Sequence, residues 1–358
     1  MEEYQIEKEY KMMLNENDFN TLKSNLNGLT LNDQINFYYT AKNNMGMRIR
    51  LLNNHYYFTL KHFVDNQVRE YEWEIPGNSL DDPKIQQLLK ELNIDHADYL
   101  GSLRTRRYVL KFPKATLCLD ENEYLDCVDY ELEYELDNYL VDDFANLEKL
   151  LKQINLVYVP NKITKYTRFK NQLQKINQQP KVAILCADGL EECEALVTWD
   201  LLKRAQINAR LISVNGHKEI ISTHNLTFKA DGLFEEEDFN DYAAIVLPGG
   251  LLGTETLSEK TTVVNLIKQF NSEHKLIAAI CAAPSILAEN GLVDNLEFTV
   301  FPGCTDCKIS TNEPLTIKDN IITAKALGSV FEFASAIIDY IKNRETADNV
   351  LKRIYYKD

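Results

Sequence analysis

The spacing of apolar residues changes once along this chain, near residue 180, and this change limits the folds open to it. Before that point apolar and polar residues mostly alternate, a pattern that predicts β-strands. After it, short apolar runs such as KVAILCA and AAIVLPGG alternate with amphipathic helices, which predicts a parallel sheet covered on both faces. The strands predicted in the first part are YQIEKEYKMM, MGMRIRLL, HYYFTLKHF, REYEWEI, TRRYVLKF, TLCLDENEYL and DYELEYEL, with helices near 18–27, 83–93 and 142–154.

The length of the chain supports a division into two domains at the same place. Its 358 residues exceed one average domain. The segment 161–180 is basic, polar and rich in Gln and Asn, and it ends at Pro180. We therefore predict a first domain over 1–170, a linker over 171–180 and a second domain over 181–358.

Composition excludes several kinds of partner and location. The chain has 54 acidic and 39 basic residues and a net charge of −15, whereas general binding to nucleic acid needs a broad basic surface. It has no apolar run of about 18 residues, and its start, MEEYQIEKEYK, is too charged for a signal peptide. The seven cysteines are an odd number scattered through apolar segments, which suits a reducing compartment. We expect a cytoplasmic protein that binds neither nucleic acid nor membranes.

Charged residues two positions apart recur on the predicted strands of the first domain. Side chains with this spacing share one face of a strand, as Glu7, Glu9 and Lys11 do in the first one. For any single strand, a solvated outer face is the simpler explanation. Several such faces turned into a closed barrel would bind a polyanion with a divalent metal, because carboxylates hold Mg²⁺ or Mn²⁺ and cations bind phosphate oxygens. The other sets are Arg48 and Arg50, Thr59 and Lys61, Arg107 and Lys111, and Glu131, Glu133 and Glu135.

These segments resemble the CYTH, or triphosphate tunnel metalloenzyme, superfamily, which includes thiamine triphosphatase, inorganic triphosphatase and class IV adenylate cyclase. The resemblance is to the compact form of Gram-positive bacteria and rests on ExExK at 7–11, RIR at 48–50, TLK at 59–61, LCLD at 117–120 and YELEYE at 130–135. It implies an α+β domain built on an antiparallel tunnel barrel. It also implies triphosphate binding by Lys11, Arg48, Arg50, Lys61 and Arg107, and metal binding by Glu7, Glu9, Asp120, Glu131 and Glu133.

The activity implied by this resemblance is hydrolysis of a triphosphate assisted by Mg²⁺ or Mn²⁺. The substrate stays open among inorganic, thiamine and nucleoside triphosphates. A tunnel filled by charged side chains leaves little room for a base, which favours a small triphosphate and makes a cyclase the weaker alternative. Arg106 is the alternative to Arg107 in the RTRR segment, and Lys165 and Arg168 resemble the basic C-terminal element of the family.

The stretch LIAAICAAPSIL, residues 276–287, contains a candidate reactive cysteine. It predicts a buried strand that ends at Cys281, followed by small residues and a helix beginning near Pro284. A thiol at such a turn lies in strained backbone near a helix N-terminus, so we expect a lowered thiol pKa. Upstream, VLPGG supplies two glycine N–H groups for an oxyanion, and GLEECEA places Glu194 where its helix would direct it under the sheet.

These segments resemble the ThiJ/PfpI family, which contains the parkinsonism-associated deglycase and chaperone-like proteins. The resemblance covers roughly 181–345 and includes SVFEFASAIID near its end. It implies a flavodoxin-like α/β sandwich with a parallel sheet, similar to class I glutamine amidotransferases, with no cofactor and with a homodimer formed through this domain. The implied site has Cys281 as nucleophile, Glu194 as the protonated carboxyl beside it, and Gly249, Gly250 and the Ala282 N–H as the oxyanion site.

The second domain departs from its family at one position. A histidine often precedes the proline in the segment written TVFPGC here, whereas this chain has Phe301 before Pro302. A hydrolytic Cys–His mechanism therefore loses its base, but a thiol assisted by Glu194 can still attack a reactive aldehyde such as methylglyoxal. Cys304 and Cys307 form a CxxC pair, which alone is weak support for zinc or for a redox partner of the nucleophile.

Together the two resemblances predict a bifunctional fusion of a metal-dependent triphosphatase with a cysteine domain that acts on reactive carbonyls or glycated groups. Its expected partners are a triphosphate-containing small molecule and a small carbonyl or glycated substrate. The alternative is a non-catalytic redox-sensing or chaperone-like domain that regulates a triphosphate-binding barrel. A barrel that only binds polyphosphate is disfavoured, because both the acidic and the basic sets are retained.

Overall fold

The computed structural model describes residues 5–6, 8–41, 45–64, 67–138, 142–306 and 310–356. The chain divides into two compact units, Met1–Gln172 and Leu173–Asp358. No helix among the described residues is both long enough and apolar enough to cross a membrane.

The first unit consists mainly of strands, whose alternating residues give each strand one apolar and one polar face. The strands are β1 (Gln5–Ile6), β2 (Glu9–Leu14), β3 (Thr30–Tyr39), β4 (Met45–Leu52), β5 (His55–Val64), β6 (Gln67–Ile75), β7 (Tyr99–Lys111), β8 (Ala115–Tyr124) and β9 (Cys127–Leu136). The helices are α1 (Glu16–Asn25), α2 (Pro83–Glu91), α3 (Phe144–Lys152) and α4 (Lys165–Asn177), the last of which runs across the boundary between the units.

All nine strands belong to one sheet in the order β1-β6-β5-β4-β3-β7-β8-β9-β2, and neighbouring strands are antiparallel. The two strands at the ends of this order, β1 and β2, are separated by only residues 7 and 8 in the sequence. The antiparallel sheet that the sequence predicts for this half of the chain is confirmed.

Helices cover the apolar face of this sheet. Phe19 of α1 and Leu147 of α3 are buried against strands β2, β8 and β9, and Ile85 of α2 is buried against β4 and β5. Helix α2 begins where it does because the Asp82 carboxylate accepts hydrogen bonds from the N–H groups of residues 84 and 85, and because proline suits the first helical position. The opposite face of the sheet is left for polar side chains.

Two elements of the first unit differ from the sequence prediction. Strand β3 was not predicted, because its sequence TLNDQINFYY carries polar residues where an ordinary strand carries apolar ones. Helix α4 occupies most of the predicted linker 171–180 and the basic segment before it. It is ordered by a few residues on one side of the helix, above all Phe169, which is fully buried in an otherwise polar sequence.

The second unit alternates strands and helices. Its strands are β10 (Lys181–Cys186), β11 (Asn208–Ser213), β12 (Glu219–Ile221), β13 (Thr227–Lys229), β14 (Gly232–Leu233), β15 (Tyr242–Leu247), β16 (Leu276–Ile280), β17 (Phe298–Thr299), β18 (Ser310–Thr311), β19 (Leu315–Lys318) and β20 (Ile321–Ala324). Its helices are α5 (Glu192–Arg204), α6 (Leu251–Glu259), α7 (Thr261–Ser272), α8 (Pro284–Glu289), α9 (Val330–Ile341) and α10 (Arg344–Arg353).

Seven of these strands form a sheet in the order β14-β11-β10-β15-β16-β20-β19, parallel except that β19 is antiparallel to β20. One apolar core packs α5, α9 and α10 on one side of the sheet, and a second core packs α7 and α8 on the other. This arrangement explains why β10, β15 and β16 are apolar along almost their whole length. The α/β architecture with a mainly parallel sheet is confirmed.

Candidate active sites

The strand register aligns charged side chains on one face of the nine-stranded sheet, which we call the charged face. Residues directly paired across antiparallel strands point to the same side, and Arg107 pairs with Asp120, which in turn pairs with Glu131. Predicted site residue Glu7 lies outside the described residues. The other nine residues predicted to bind triphosphate or metal all lie on this face: Glu9, Lys11, Arg48, Arg50, Lys61, Arg107, Asp120, Glu131 and Glu133.

Arg107 on β7 joins carboxylates from β8 and β9. Its guanidinium donates to both oxygens of Asp120, at 2.9 and 2.8 Å, and it also pairs with Glu133. Asp120 is fully buried, so this two-fold contact replaces its lost hydration. The adjacent Arg106 points to the opposite face, where it pairs with Glu121 at 2.9 Å. The structure therefore favours Arg107 over Arg106 as the arginine of the charged face.

Helix α4 brings a lysine into the middle of the acidic part of the charged face. The Lys165 ammonium nitrogen lies 2.8 Å from carboxylate oxygens of both Asp120 and Glu131, and 2.6 Å from Glu133. The lysine side chain is only 10% exposed. Three buried carboxylates thus share one buried cation, in addition to the arginine on β7.

One turn further along α4, two more side chains contact the same face. Arg168 pairs with Glu131 at 2.9 Å and is held on its other side by Asp129. Phe169 packs against the rings of Tyr38 and Tyr124, with ring centroids 5.1 and 6.1 Å away. The sequence resemblance drew attention to Arg168, but the aromatic contacts could not be predicted because they join residues of three distant segments.

The basic part of the charged face is balanced by two glutamates that the sequence analysis did not identify. Arg50 pairs with Glu72 at 2.6 Å, and Lys61 and Arg48 approach Glu70 at 3.5 and 4.0 Å. The alternation in REYEWEI predicts a strand, but only the register of β5 with β6 shows which of its side chains meet the arginines.

Burial and neighbouring charges move two carboxyl pKa values in opposite directions. Burial opposes ionisation of Glu133, but the cations Lys165, Arg107 and Lys11 more than offset this and hold its pKa well below the usual range. Burial raises the pKa of Glu9, and the negative charge of Glu133 raises it further. Glu133 is therefore the fixed anion of the site, whereas Glu9 holds a proton more tightly than an ordinary glutamate.

The carboxylates are close enough together to hold a divalent cation. Oxygen ligands from several carboxylates are what Mg²⁺ and Mn²⁺ prefer, so the chemistry of this donor set fits the predicted metal. At the more buried position the ion would compete with the ammonium of Lys165. Ligand atoms within 4.8 Å of one another come from two overlapping groups, Asp120 with Glu131 and Glu133, and Glu9 with Glu133 and Glu135.

In the second unit, Cys281 stands at a sharp turn between β16 and α8. Its φ of 63° lies in the left-handed region, which residues with a Cβ rarely adopt. Its N–H donates to the carbonyl of Ala324 at 2.9 Å, and its own carbonyl accepts from the N–H of Phe301 at 2.7 Å. These two bonds hold the strand-to-helix turn that the sequence predicts.

Glu194 lies beside this cysteine at the start of α5 and is 1% exposed. The helix begins here because the Glu191 carboxylate accepts from the N–H of Glu194 at 2.8 Å. The N–H of Gly249 donates to Oε2 of Glu194 at 3.0 Å. A Cβ on Gly249 would lie 2.4 Å from Cβ of Cys281 and 2.5 Å from Oε2 of Glu194, so glycine is required for the pair to come together.

The pKa values of this pair correct one expectation from the sequence. Burial raises the pKa of Glu194 to about 7, and the charge of Glu191 adds to the effect. Burial also raises the pKa of Cys281 to about 12, with a further contribution from the Glu194 charge and opposition from the N–H groups of Gly250 and Ala282. The expected lowering is wrong, because the following helix has only six residues and two N–H groups do not outweigh burial beside a carboxylate.

The three backbone groups predicted as an oxyanion site have two different roles. The N–H groups of Gly250 and Ala282 face the sulfur of Cys281. The N–H of Gly249 is bonded to Glu194 and so is not available to an oxyanion. Gly249 instead positions the carboxyl next to the thiol. The sequence shows that VLPGG follows a strand, but it does not show where each N–H points.

Phe301 stands at the position where the family resemblance leads us to expect a histidine. The N–H of Phe301 bonds the carbonyl of Cys281, so this residue lies next to the turn, and its side chain is 44% exposed. A phenyl ring cannot accept the thiol proton. The N–H of Cys304 bonds the carbonyl of Phe301 at 3.1 Å, whereas Cys307 lies outside the described residues.

Comparison with known proteins identifies two families in the chain. The CYTH domain matches residues 5–166, and the DJ-1/PfpI family matches residues 180–340. Protein DJ-1 homolog B of Arabidopsis thaliana is 33% identical over 215 residues, which are 58% of this chain and 49% of that protein. The chain thus spans about half the length of this plant relative.

Two shorter relatives are covered almost completely. The Parkinson disease protein 7 homolog of Danio rerio is 30% identical over 185 residues, 50% of this chain and 98% of that protein. The glutathione-independent glyoxalase DJ-1 of Schizosaccharomyces pombe is 26% identical over 187 residues, 49% of this chain and 97% of that protein. Each of them resembles only about half of the chain.

Proposed function

Because the chain belongs to the DJ-1/PfpI family and carries a CYTH domain ahead of that region, we propose that it combines two activities. The first is metal-dependent hydrolysis of a triphosphate on the charged face. The second is a cysteine-dependent reaction with small reactive carbonyls or glycated groups at Cys281. The observation that carries the first proposal is the alignment of carboxylates and cations on one face of a single sheet.

We further propose that the nine-stranded sheet closes into a barrel with the charged face inside. Strands β1 and β2 stand at opposite ends of the strand order, yet they are nearly continuous in sequence. Closure would join the two ends and leave no free edge. A tunnel of this kind would account for the burial of charged groups such as Asp120, Glu131 and Lys165.

In the proposed reaction, the cations bind and orient the triphosphate. Arg48, Arg50 and Lys61 stand on adjacent strands, so they can contact successive phosphoryl groups. A divalent metal, when bound by the carboxylates, supplies charge neutralisation and a more acidic water. Glu9 would be one of the carboxylates that hold this metal, while Arg107 holds the neighbouring carboxylates in place. We propose a small triphosphate such as inorganic triphosphate as the substrate, with nucleoside and thiamine triphosphates as alternatives. Cyclase activity is the weaker alternative to hydrolysis.

The test is phosphate release from a panel of triphosphates in Mg²⁺ or Mn²⁺. We expect activity that disappears in EDTA and in Glu9→Gln. A matched control is Glu121→Gln, because Glu121 lies on the opposite face of the sheet. Full activity in EDTA, or equal loss in both variants, would contradict the proposal.

At the second site, the sulfur of Cys281 is proposed to add to an aldehyde carbon. The C–S bond forms, the C=O π bond breaks, and its electron pair moves to oxygen, toward the N–H groups of Gly250 and Ala282. The thiol proton passes through the Glu194 carboxylate to this oxygen, which gives a hemithioacetal. With a 2-oxoaldehyde, Glu194 can then move a proton from C1 to C2 while the hydroxyl proton on O1 passes to O2, which gives a thioester. Water then breaks the C–S bond, releases a 2-hydroxy acid and returns the proton to the Cys281 thiol.

The name of the fission yeast relative, a glutathione-independent glyoxalase, supports this class of substrate.

A specific observation also favours the second candidate, a redox-sensing or chaperone-like domain that regulates the triphosphatase. Phe301 at the turn supplies no base for the thiol proton, which removes the partner that a hydrolytic Cys–His mechanism needs. Conversion of methylglyoxal to lactate, measured for the wild type, Cys281→Ser and Cys193→Ser, separates the two. Turnover that is lost only in Cys281→Ser supports the enzyme, and no turnover in the wild type supports the regulatory domain.

A further inference from the structure

Asn36 is a buried polar residue of the charged face that belongs to neither its carboxylates nor its cations. Asn36 lies on β3, paired with Arg50 of β4 on one side and with Leu103 of β7 on the other. It is 1% exposed. Neither its amide nitrogen nor its amide oxygen has a hydrogen-bond partner among the described residues.

A buried amide without partners is unfavourable, because its hydration is lost and not replaced. Asn122 of β8 offers a direct comparison on the same face. It is fully buried, its oxygen accepts from Thr105 at 2.7 Å, and its nitrogen donates to Asp129 at 2.9 Å. Asn122 is therefore accounted for by the structure of the sheet, whereas Asn36 is not.

The polar groups nearest to Asn36 in the register show the same deficit. The Nε atoms of both Arg50 and Arg48 are buried without a hydrogen-bond partner among the described residues. Arg50 pairs directly with Asn36 across the two strands, and Arg48 stands two residues along β4 on the same side. The register thus places three buried side-chain nitrogens without hydrogen-bond partners on neighbouring positions of the charged face. Such donors suit the oxygens of an anion.

We infer that Asn36 is a substrate-contacting residue, whose amide N–H donates to a phosphoryl oxygen of the triphosphate held by Arg48 and Arg50. The inference rests on the proposed function of the charged face, to which it adds one uncharged contact between the Asn36 amide and the triphosphate. A neutral amide adds a hydrogen bond without adding charge, so it fixes the orientation of the phosphoryl group between the arginines.

The test compares Asn36→Leu with Asn122→Leu in the full chain. Leucine has the same number and branching of side-chain heavy atoms as asparagine, although it is larger, and it has no polar atoms. For Asn36→Leu we expect a higher melting temperature of the ligand-free protein, since an unpartnered amide is removed, together with affinity for inorganic triphosphate about 10- to 100-fold lower. For Asn122→Leu we expect a lower melting temperature, because two hydrogen bonds lose their partner. Binding is measured by calorimetry in EDTA, and KM in Mg²⁺.

The possible outcomes separate the inference from the function on which it rests. A wild-type protein that binds no triphosphate overturns the proposed function itself. A wild type that binds, with Asn36→Leu binding equally well, overturns only the inference. A lower melting temperature for Asn36→Leu also overturns it, since the amide would then have a structural role. If Asn36→Leu does not fold, Asn36→Ala is measured in its place, with the same loss of affinity expected.

Discussion

The ammonium nitrogen of Lys165 lies 2.6 Å from a carboxylate oxygen of Glu133, although the two residues are 32 positions apart in the sequence. The same ammonium contacts Asp120 and Glu131, so it neutralises part of a buried acidic cluster. Burial by itself would raise the pKa of Glu133, and the nearby cations reverse that effect. Helix α4 is therefore part of the site as well as the last helix to begin in the first unit.

Replacing Lys165 with alanine removes this cation and leaves three buried carboxylates facing one another. We expect a loss of roughly 3–5 kcal/mol in the free energy of unfolding, as for other broken buried ion pairs. Millimolar Mn²⁺ should restore more stability to this variant than to the wild type, because the metal can take the position of the ammonium. Urea denaturation with and without Mn²⁺ measures both effects. Lys170→Ala is the control, since Lys170 lies exposed on the same helix, and an equal response to Mn²⁺ in all three proteins would contradict the prediction.

Arg107 and Arg106 provide a matched pair for the charged face. Arg107→Ala removes a contact to the buried Asp120, and we expect a large rise in KM for triphosphate and a lower stability. Arg106→Ala breaks only a half-exposed pair with Glu121 on the other face, which is typically worth about 1 kcal/mol or less. Steady-state kinetics of both variants measure the difference. Equal KM values for the two would show that Arg107 takes no part in substrate binding.

The sequence was sufficient to predict which residues share a face within each strand, because that depends only on a period of two. It predicted Glu9 with Lys11 and Arg48 with Arg50, and it left Arg107 and Arg106 as alternatives. Which faces meet depends on the register between strands that are distant in sequence. For that reason Glu70 and Glu72 were missed, and so was the unpartnered amide of Asn36.

The second unit shows the same limit at a smaller scale. The turn at Cys281 and the proximity of Glu194 follow from local patterns and from the family resemblance. The direction of the Gly249 N–H and the pKa of the thiol cannot be predicted in this way. Both depend on how closely two loops and a helix approach one another. The helical part of the predicted linker 171–180, which belongs to α4, was likewise not foreseen, since this polar sequence does not show which residues, such as Phe169, become buried.

Glu194 should make the stability of the second unit depend on pH. Its pKa is about 7 in the folded protein, above its ordinary value of 4.5, so the folded state holds the proton more tightly. Stability is therefore full at low pH and falls as pH rises from 4.5 to 7. From about 1.4 kcal/mol per pKa unit, we expect Glu194→Gln to gain roughly 2–3 kcal/mol over the wild type between pH 5 and pH 8. Urea denaturation at both pH values measures this, and a difference that does not change with pH would contradict the raised pKa.

The family resemblance predicts a homodimer formed through the second unit. We expect twice the mass of one chain at micromolar concentration in light scattering, for the full chain and for Glu9→Gln alike, because the charged face takes no part in this contact. A protein that stays monomeric at high micromolar concentration would refute this prediction.

The reactivity of Cys281 should follow the titration of its neighbour. Ionisation of Glu194 near pH 7 opposes loss of the thiol proton, so the two groups titrate as a pair. In the wild type, we expect the logarithm of the iodoacetamide alkylation rate at Cys281 to rise with pH less steeply than one unit per pH unit on either side of pH 7. Glu194→Gln carries no titrating charge there and should give unit slope.

Glu192→Gln is the control, since Glu192 pairs with the exposed His224. Mass spectrometry after brief labelling from pH 6 to 9 reports each cysteine separately, and buried Cys186 should stay unlabelled. Identical profiles for the wild type and Glu194→Gln would show that this carboxyl does not control the thiol.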